Sequence, residues 1–377
     1  MDDKASIGPV MCVVGARPNF MKMAPILRAL DGQGLPRLLV HTGQHYDQAM
    51  SDSLFRDLGL PQPDVNLEVG SGTHAVQTAE IMRRFEPVLD EHRPSCVLVV
   101  GDVNSTLACA LVAVKKGVKV VHVEAGLRSG DRAMPEEINR VLTDQISDRL
   151  YLTERSALDN LKREGVAEER CVFAGNVMID SLQSNRSRAK PPADTLAAHG
   201  LPADLLQHPA GYGVVTLHRP SNVDHPQALE GLLRTLGEVA AQVPLVFVLH
   251  PRTRGNVERF GLGHLIDRER VAVLPPQGYL EMLGLMAGAT LVLTDSGGLQ
   301  EETTAFGVPC LTLRENTERP ITVEQGTNTM VGRDRAATLA AVADILGGRG
   351  KQGRIPEYWE GAAALRIADD LSAWLRS

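Results

Sequence analysis

The chain alternates short runs that are apolar from end to end with longer stretches of helical spacing. The segment 10–14 reads Val-Met-Cys-Val-Val, and comparable runs occupy residues 38–42, 96–101, 118–123 and 150–153. A strand that is apolar on both faces must be covered on both, as in a parallel sheet flanked by helices. Between these runs, residues 21–30 and 74–92 carry apolar side chains near a 3.6-residue period. The alternation predicts a doubly wound α/β domain. It breaks over residues 183–210, which hold Pro191, Pro192, Pro202 and Pro209, and restarts with apolar runs at 213–217, 245–250, 271–274, 290–294 and 310–313. At 377 residues the chain also exceeds one ordinary core. The expectation is therefore a Rossmann-like domain over 1–182, a linker over 183–210, a second Rossmann-like domain over 211–354, and a closing segment 355–377 with an amphipathic helix at 358–375.

Composition narrows the class of partner. A net charge of −7 and an aromatic content of 4% give no support for nucleic acid. Cys12, Cys96, Cys109, Cys171 and Cys310 contain no C-x-x-C pair and lie mostly in apolar runs, which reads as reduced core thiols. The opening MDDKASIG lacks the layout of a signal peptide, and no apolar run reaches the ~18 residues of a membrane span. A cytoplasmic location without membrane contact is the resulting expectation.

Ligands of doubly wound sheets sit beyond the carboxyl ends of the strands, so the residues that follow each run matter most. After the first comes GARPNFMK, in which Gly15 permits a tight turn and Arg17 and Lys22 stand near a helix start, a combination suited to an anion. No G-x-G-x-x-G dinucleotide fingerprint occurs there, and the looser GSGTHA at 70–75 follows no clear strand. Asp102 ends the run in VVGDVNST, Glu124 ends the run in VVHVEAGLRSGD, and Glu136 and Glu137 open a helix in MPEEINR. Any one acid could be a structural ion pair with Arg128, Arg132 or Arg140; three at one sheet edge point to proton chemistry. In the second half, His218 and Arg219 follow a strand in TLHRPSN. In LVLTDSGGLQEE, a Ser-Gly-Gly turn leads into a helix whose first N–H groups suit a phosphate. The pair His41 and His45 straddles a strand end and Gly43 without companion ligands, so no metal is expected.

Taken in order, GARPNFMKMAP, TGQHYDQAM, GDVNSTLA, HVEAGLRSGDRAMPEEINR, TLHRPSN, TDSGGLQEE and NTERP resemble the non-hydrolysing UDP-N-acetylglucosamine 2-epimerase family, from about residue 10 to 332. The resemblance implies a GT-B arrangement: two Rossmann-like doubly wound domains with a cleft between them, and a C-terminal helix returning to the first domain. It implies acid/base roles for Asp102, Glu124 and Glu136, with His218 beside the diphosphate. Arg17, Ser296, Gly297, Gly298, Glu302 and Arg319 would bind UDP, and Lys22, His45 and Arg140 would complete the substrate site. It further implies a UDP-sugar substrate, no cofactor and a homodimer. Asn19 stands where an acid is common in the family, and Tyr46 and Pro220 where arginines are common. GQHYD is also similar to relatives acting on diacetamido-uronate UDP-sugars. A hydrolysing 2-epimerase and a GT-B glycosyltransferase are the alternatives that share the fold.

Overall fold

The computed structural model describes residues 8–43 and 55–377. The chain divides into two compact units: residues 1–184 with 357–377, and residues 185–356.

Among the described residues the first unit carries a seven-stranded sheet, β1 (Val10–Val14), β2 (Arg37–His41), β3 (Val65–Asn66), β4 (Cys96–Val100), β5 (Lys119–Ala125), β6 (Arg149–Leu152) and β7 (Cys171–Phe173). The spatial order is β3-β2-β1-β4-β5-β6-β7, with every neighbouring pair parallel. β1 and β4 are buried at every position, the double-sided burial that their unbroken apolar runs require. One face is closed by the helices His74–His92 and Asn104–Lys115, whose Ile81, Phe85, Leu89, Ala108 and Val112 pack on Met11, Val13, Val97 and Val99. Thr73 starts the first of these helices by accepting from the Val76 N–H at 3.3 Å.

The second unit carries six strands among the described residues: β8 (Gly213–Thr216), β9 (Leu245–Val248), β10 (Val271–Leu274), β11 (Leu291–Thr294), β12 (Cys310–Thr312) and β13 (Asn328–Met330). Their order, β10-β9-β8-β11-β12-β13, is the Rossmann arrangement, again all parallel. Leu229, Leu232, Leu233 and Leu236 of the helix Pro226–Ala240 close one face over Val215, Phe247 and Leu293. Each unit is thus a Rossmann-like α/β domain. Among the described residues no helix is long and apolar enough to cross a membrane.

The stretch 183–210, expected as linker, is partly helical. The helix Val177–Asn185 runs into it, Pro192–Ala197 forms a short helix, and Leu196 is fully buried in the second unit's core. Its prolines mislead because Pro192 occupies the first helical position, where the missing N–H costs nothing. The unit boundary falls after Ser184, at the start of this stretch.

Residues 357–377 belong to the first unit. The Asp180 carboxylate accepts from the N–H groups of Ala363 and Ala364 at 3.1 and 2.7 Å, capping the helix Ala363–Arg376. Asp370 on that helix pairs with Arg149 and accepts from the Tyr151 hydroxyl at 2.8 Å. Trp359, fully buried, donates its indole N–H to the Thr153 carbonyl.

Candidate active site

In a doubly wound sheet the strand order reverses at one point, leaving a crevice at the carboxyl ends. In the first unit that point lies between β1 and β4, and in the second between β8 and β11. Lys22 and Asp102 follow the strands of the first switch point; His218 and Ser296 follow those of the second.

At the end of β1 the chain turns at Gly15, where a Cβ would lie 2.1 Å from Ser105 Oγ and 2.9 Å from Thr42 Oγ1; no side chain fits. Asn19 closes this turn. Its Oδ1 accepts from the N–H groups of Gly15 and Ala16 at 3.2 and 3.1 Å, and its Nδ2 donates to the Val100 carbonyl on β4 at 3.0 Å. A carboxylate here could not make the last of these bonds. The helix Arg17–Gly32 follows. The Arg17 side chain and all of His45 and Tyr46 lie outside the described residues.

Lys22, expected to face an anion, has a carboxylate of the protein itself as partner. Its ammonium lies 2.8 and 2.7 Å from the two oxygens of Glu124, with both side chains buried. Glu124 itself has a φ of 71°, at a register shift between β5 and β6. Such a conformation costs a non-glycine residue about 1–3 kcal/mol and persists only where its surroundings enforce it. The distortion turns the glutamate towards Lys22 at the sheet edge.

Asp102 also meets a buried cation: Arg140, 2% exposed, reaches its Oδ2 at 2.5 Å and Glu137 Oε2 at 2.5 Å. The adjacent glutamates at 136 and 137 then part company. Glu137 is consumed by structure, accepting from Ser129 N–H at 2.9 Å, Ser129 hydroxyl at 3.0 Å and Gly130 N–H at 2.9 Å besides Arg140. Glu136 is partly exposed and makes no hydrogen bond or ion pair among the described residues. The ion-pair alternative with Arg140 therefore applies to Glu137 and also to Asp102, and the geometry leaves Glu136 available. Of the arginines weighed as partners, Arg128 bridges Asp144 and Glu164 instead.

In the second unit the turn after β11 is organised by Asp295, which sequence reasoning passed over. Fully buried, its carboxylate accepts from the His218 N–H at 3.0 Å to each oxygen, from the Arg219 N–H at 2.9 Å and from Asn222 Nδ2 at 3.1 Å. His218 Nδ1 also lies 3.0 Å away. Burial pushes the Asp295 carboxyl up, but His218 and the two backbone N–H groups outweigh it and hold the group below the usual carboxylate range. The visible signal was a polar residue ending LVLT, yet its partners lie more than seventy positions away.

Ser296 precedes the helix Gly297–Phe306 and makes no side-chain cap, and the first turn holds no acid. A Cβ on Gly297 would come within 2.7 Å of Glu318 Oε1, so a side chain here would have to displace that buried carboxylate. Uncapped N–H groups and the helix dipole make this turn suited to a phosphate. Behind it stand buried charges in pairs: Arg319 Nε with Glu301 at 2.8 Å and Arg314 with Glu318 at 2.9 Å. Glu302 faces the buried Tyr279 hydroxyl. Arg319, expected to meet the nucleotide, is thus anchored on Glu301, a partner not foreseen from the sequence. Among the described residues no group of three His, Cys, Asp or Glu could hold a metal ion.

The family model for UDP-N-acetylglucosamine 2-epimerase matches residues 28–372. The UDP-N-acetylglucosamine 2-epimerase of Methanocaldococcus jannaschii is 42% identical over 337 residues, covering 89% of this chain and 91% of the relative. The UDP-2,3-diacetamido-2,3-dideoxy-D-glucuronate 2-epimerase of Pseudomonas aeruginosa is 42% identical over 367 residues, covering 96% of this chain and 99% of the relative. The crystal structure of the M. jannaschii UDP-GlcNAc 2-epimerase in complex with UDP-GlcNAc and UDP superposes with a TM-score of 0.87 at 39% identity, over 97% of this chain and 99% of that one. The chain belongs to the UDP-N-acetylglucosamine 2-epimerase family.

Proposed function

We propose that the protein interconverts UDP-N-acetylglucosamine and UDP-N-acetylmannosamine by inverting C2, through elimination and re-addition of UDP. The C2 hydrogen of such a sugar is weakly acidic. Its removal becomes feasible when the anomeric C–O bond breaks in concert: the C–H electron pair forms the C1=C2 bond of a 2-acetamidoglucal. The C–O pair leaves on the β-phosphate of UDP. Re-addition with a proton delivered to the opposite face gives the epimer. Two faces require two placed acid/base groups.

The observation that carries this reading is the division of chemistry between the two switch points. In the first unit Asp102 and Glu124 stand at the ends of neighbouring strands with Arg140 and Lys22 balancing their charges, and Glu136 lies in the first turn of the helix that carries Arg140. The second offers His218, held by Asp295, and the uncapped turn Ser296–Gly297–Gly298, groups suited to a departing diphosphate. Glu302 and Arg319 are assigned to UDP by family resemblance. Arg17 and His45 join the substrate site by family resemblance. The enzyme works without a cofactor, as a cytoplasmic homodimer; light scattering on the purified protein tests the dimer.

A second substrate is favoured by a specific observation, the likeness to the P. aeruginosa diacetamido-glucuronate epimerase along nearly the whole chain. Incubation with each of the two UDP-sugars, followed by proton NMR, decides. A second UDP-sugar from UDP-N-acetylglucosamine supports the proposal, turnover of the diacetamido-uronate alone moves the substrate, and release of free sugar replaces the epimerase with a hydrolase.

A further inference from the structure

Two of the candidate acids are linked by a buried pair that takes no part in the chemistry described above. His122 and Asp144 are both fully buried in the first unit. His122 Nδ1 donates to Asp144 Oδ1 at 2.6 Å, and His122 Nε2 donates to the carbonyl of Gly101 at 2.8 Å. Gly101 is the residue before Asp102. The other oxygen of Asp144 accepts from the N–H of Gly126 at 3.0 Å, and Gly126 lies two residues beyond Glu124. Gly101 N–H in turn donates to the Val123 carbonyl at 3.1 Å. The pair therefore grips the ends of β4 and β5 at the points where each chain leaves the sheet.

These are also the points where the backbone is held away from its ordinary conformations. Gly101, Glu124 and Gly126 have φ of 66°, 71° and 79°. A Cβ on Gly101 would sit 2.9 Å from Lys22 Nζ, and one on Gly126 2.7 Å from the Ala157 carbonyl. A left-handed glutamate between such neighbours needs an external clamp. Arg128 also pairs with Asp144, at 2.8 Å from Oδ2, and is itself tied to Glu164. Burial pushes the Asp144 carboxyl up, and His122 and Arg128 outweigh it, leaving the group below its usual range. A buried ion pair is poor value as a source of stability, since desolvation offsets most of the attraction. A fixed geometry is what it supplies.

We infer that His122 and Asp144 are positioning residues for proton transfer, one buried pair that sets Asp102 and Glu124 relative to each other. This rests on the proposed acid/base role of those two carboxylates. Displacement of a reacting group by ~1 Å can cost about 10²-fold in rate. The substitutions His122→Gln and Asp144→Asn each remove part of the clamp without touching Asp102, Glu124 or the nucleotide groups.

The test measures kcat and KM with UDP-N-acetylglucosamine, UDP affinity by calorimetry, and folding by circular dichroism. The same variants are also made on a Glu124→Gln background. Expected is a fall in kcat of about 10²-fold, the scale of a misplaced catalytic group, with KM and UDP affinity within about threefold. On the Glu124→Gln background the further loss should be under about threefold, because the pair acts on the placement of Asp102 relative to Glu124, and once one of two groups that work as a unit is gone the losses are no longer additive. A purely structural role would lower both backgrounds alike. Folded variants with full kcat, or a multiplicative loss on Glu124→Gln, overturn the inference. Failure of both variants to fold also counts against it, since the pair's task would then be the fold. A wild-type protein that produces no second UDP-sugar sinks the proposed function itself; active wild type with unaffected variants sinks only the positioning pair.

Discussion

Replacement of Asp295 by asparagine tests the architecture of the nucleotide-side switch point. The buried carboxylate takes the His218 and Arg219 backbone N–H groups, the Asn222 amide and His218 Nδ1, all at 2.9–3.1 Å. Asparagine keeps the volume and one acceptor but turns an amino group towards N–H donors, so at least two of these bonds are lost. Hydrogen bonds to a charged group are worth about 1.5–3 kcal/mol each. Losing two of them costs about 3–6 kcal/mol, a large share of an ordinary folding free energy of roughly 5–15 kcal/mol. Urea unfolding should report a loss of that size. Turnover in the folded fraction should drop by about 10²-fold, as when a charge-stabilising donor is mis-aimed. The pH dependence follows from the sign of the shift. The Asp295 carboxyl is held below its unfolded value, so its stabilisation is complete above about pH 4 and is lost as pH falls through the folded value. The wild type should therefore lose stability more steeply than Asp295→Asn on acidification below about pH 4. An unchanged urea midpoint together with unchanged turnover would refute the reasoning.

Asp102→Asn, Glu124→Gln and Glu136→Gln should each lower turnover by about 10²–10⁴-fold with UDP binding retained, whereas near-normal rates in all three would remove this site. Glu302→Ala and Arg319→Ala should weaken UDP binding by about 1.5–3 kcal/mol in calorimetry if these groups hold the nucleoside, and Arg319→Ala should also destabilise the fold by stranding Glu301. Of the five cysteines only Cys171 is partly exposed, and burial pushes the Cys96 thiol up to about 12 and Cys310 to about 11. A thiol reagent should therefore modify at most Cys171 in the native protein and all five after denaturation.

Much of the fold was legible because the strands at both switch points are long apolar runs, and their exits are marked by polar residues. Gly15, Asp102, Glu124, His218 and Ser296 could be placed at strand ends from spacing alone. β3, β7 and β13 were not seen, since two or three residues give no periodicity to read. The prolines of 183–210 read as a linker, yet Pro192 starts a helix. Charge pairing was the least legible layer. Lys22 and Glu124 are 102 positions apart, and only the parallel sheet brings them together. Glu136 and Glu137 are indistinguishable as letters; their difference rests on the Ser129–Gly130 loop and Arg140, which claim one and leave the other. Asn19, a departure from the family pattern, acquires a reason only when the Val100 carbonyl on β4 is seen beside it.

Under the proposed mechanism C2 is deprotonated and UDP departs and returns on the same enzyme. The measurement is proton NMR of UDP-N-acetylglucosamine incubated with the enzyme in D₂O, without added nicotinamide or metal. Elimination and re-addition should give a second UDP-sugar, with deuterium at C2 in both epimers as equilibrium is approached. An epimer that keeps its original C2 hydrogen would contradict it.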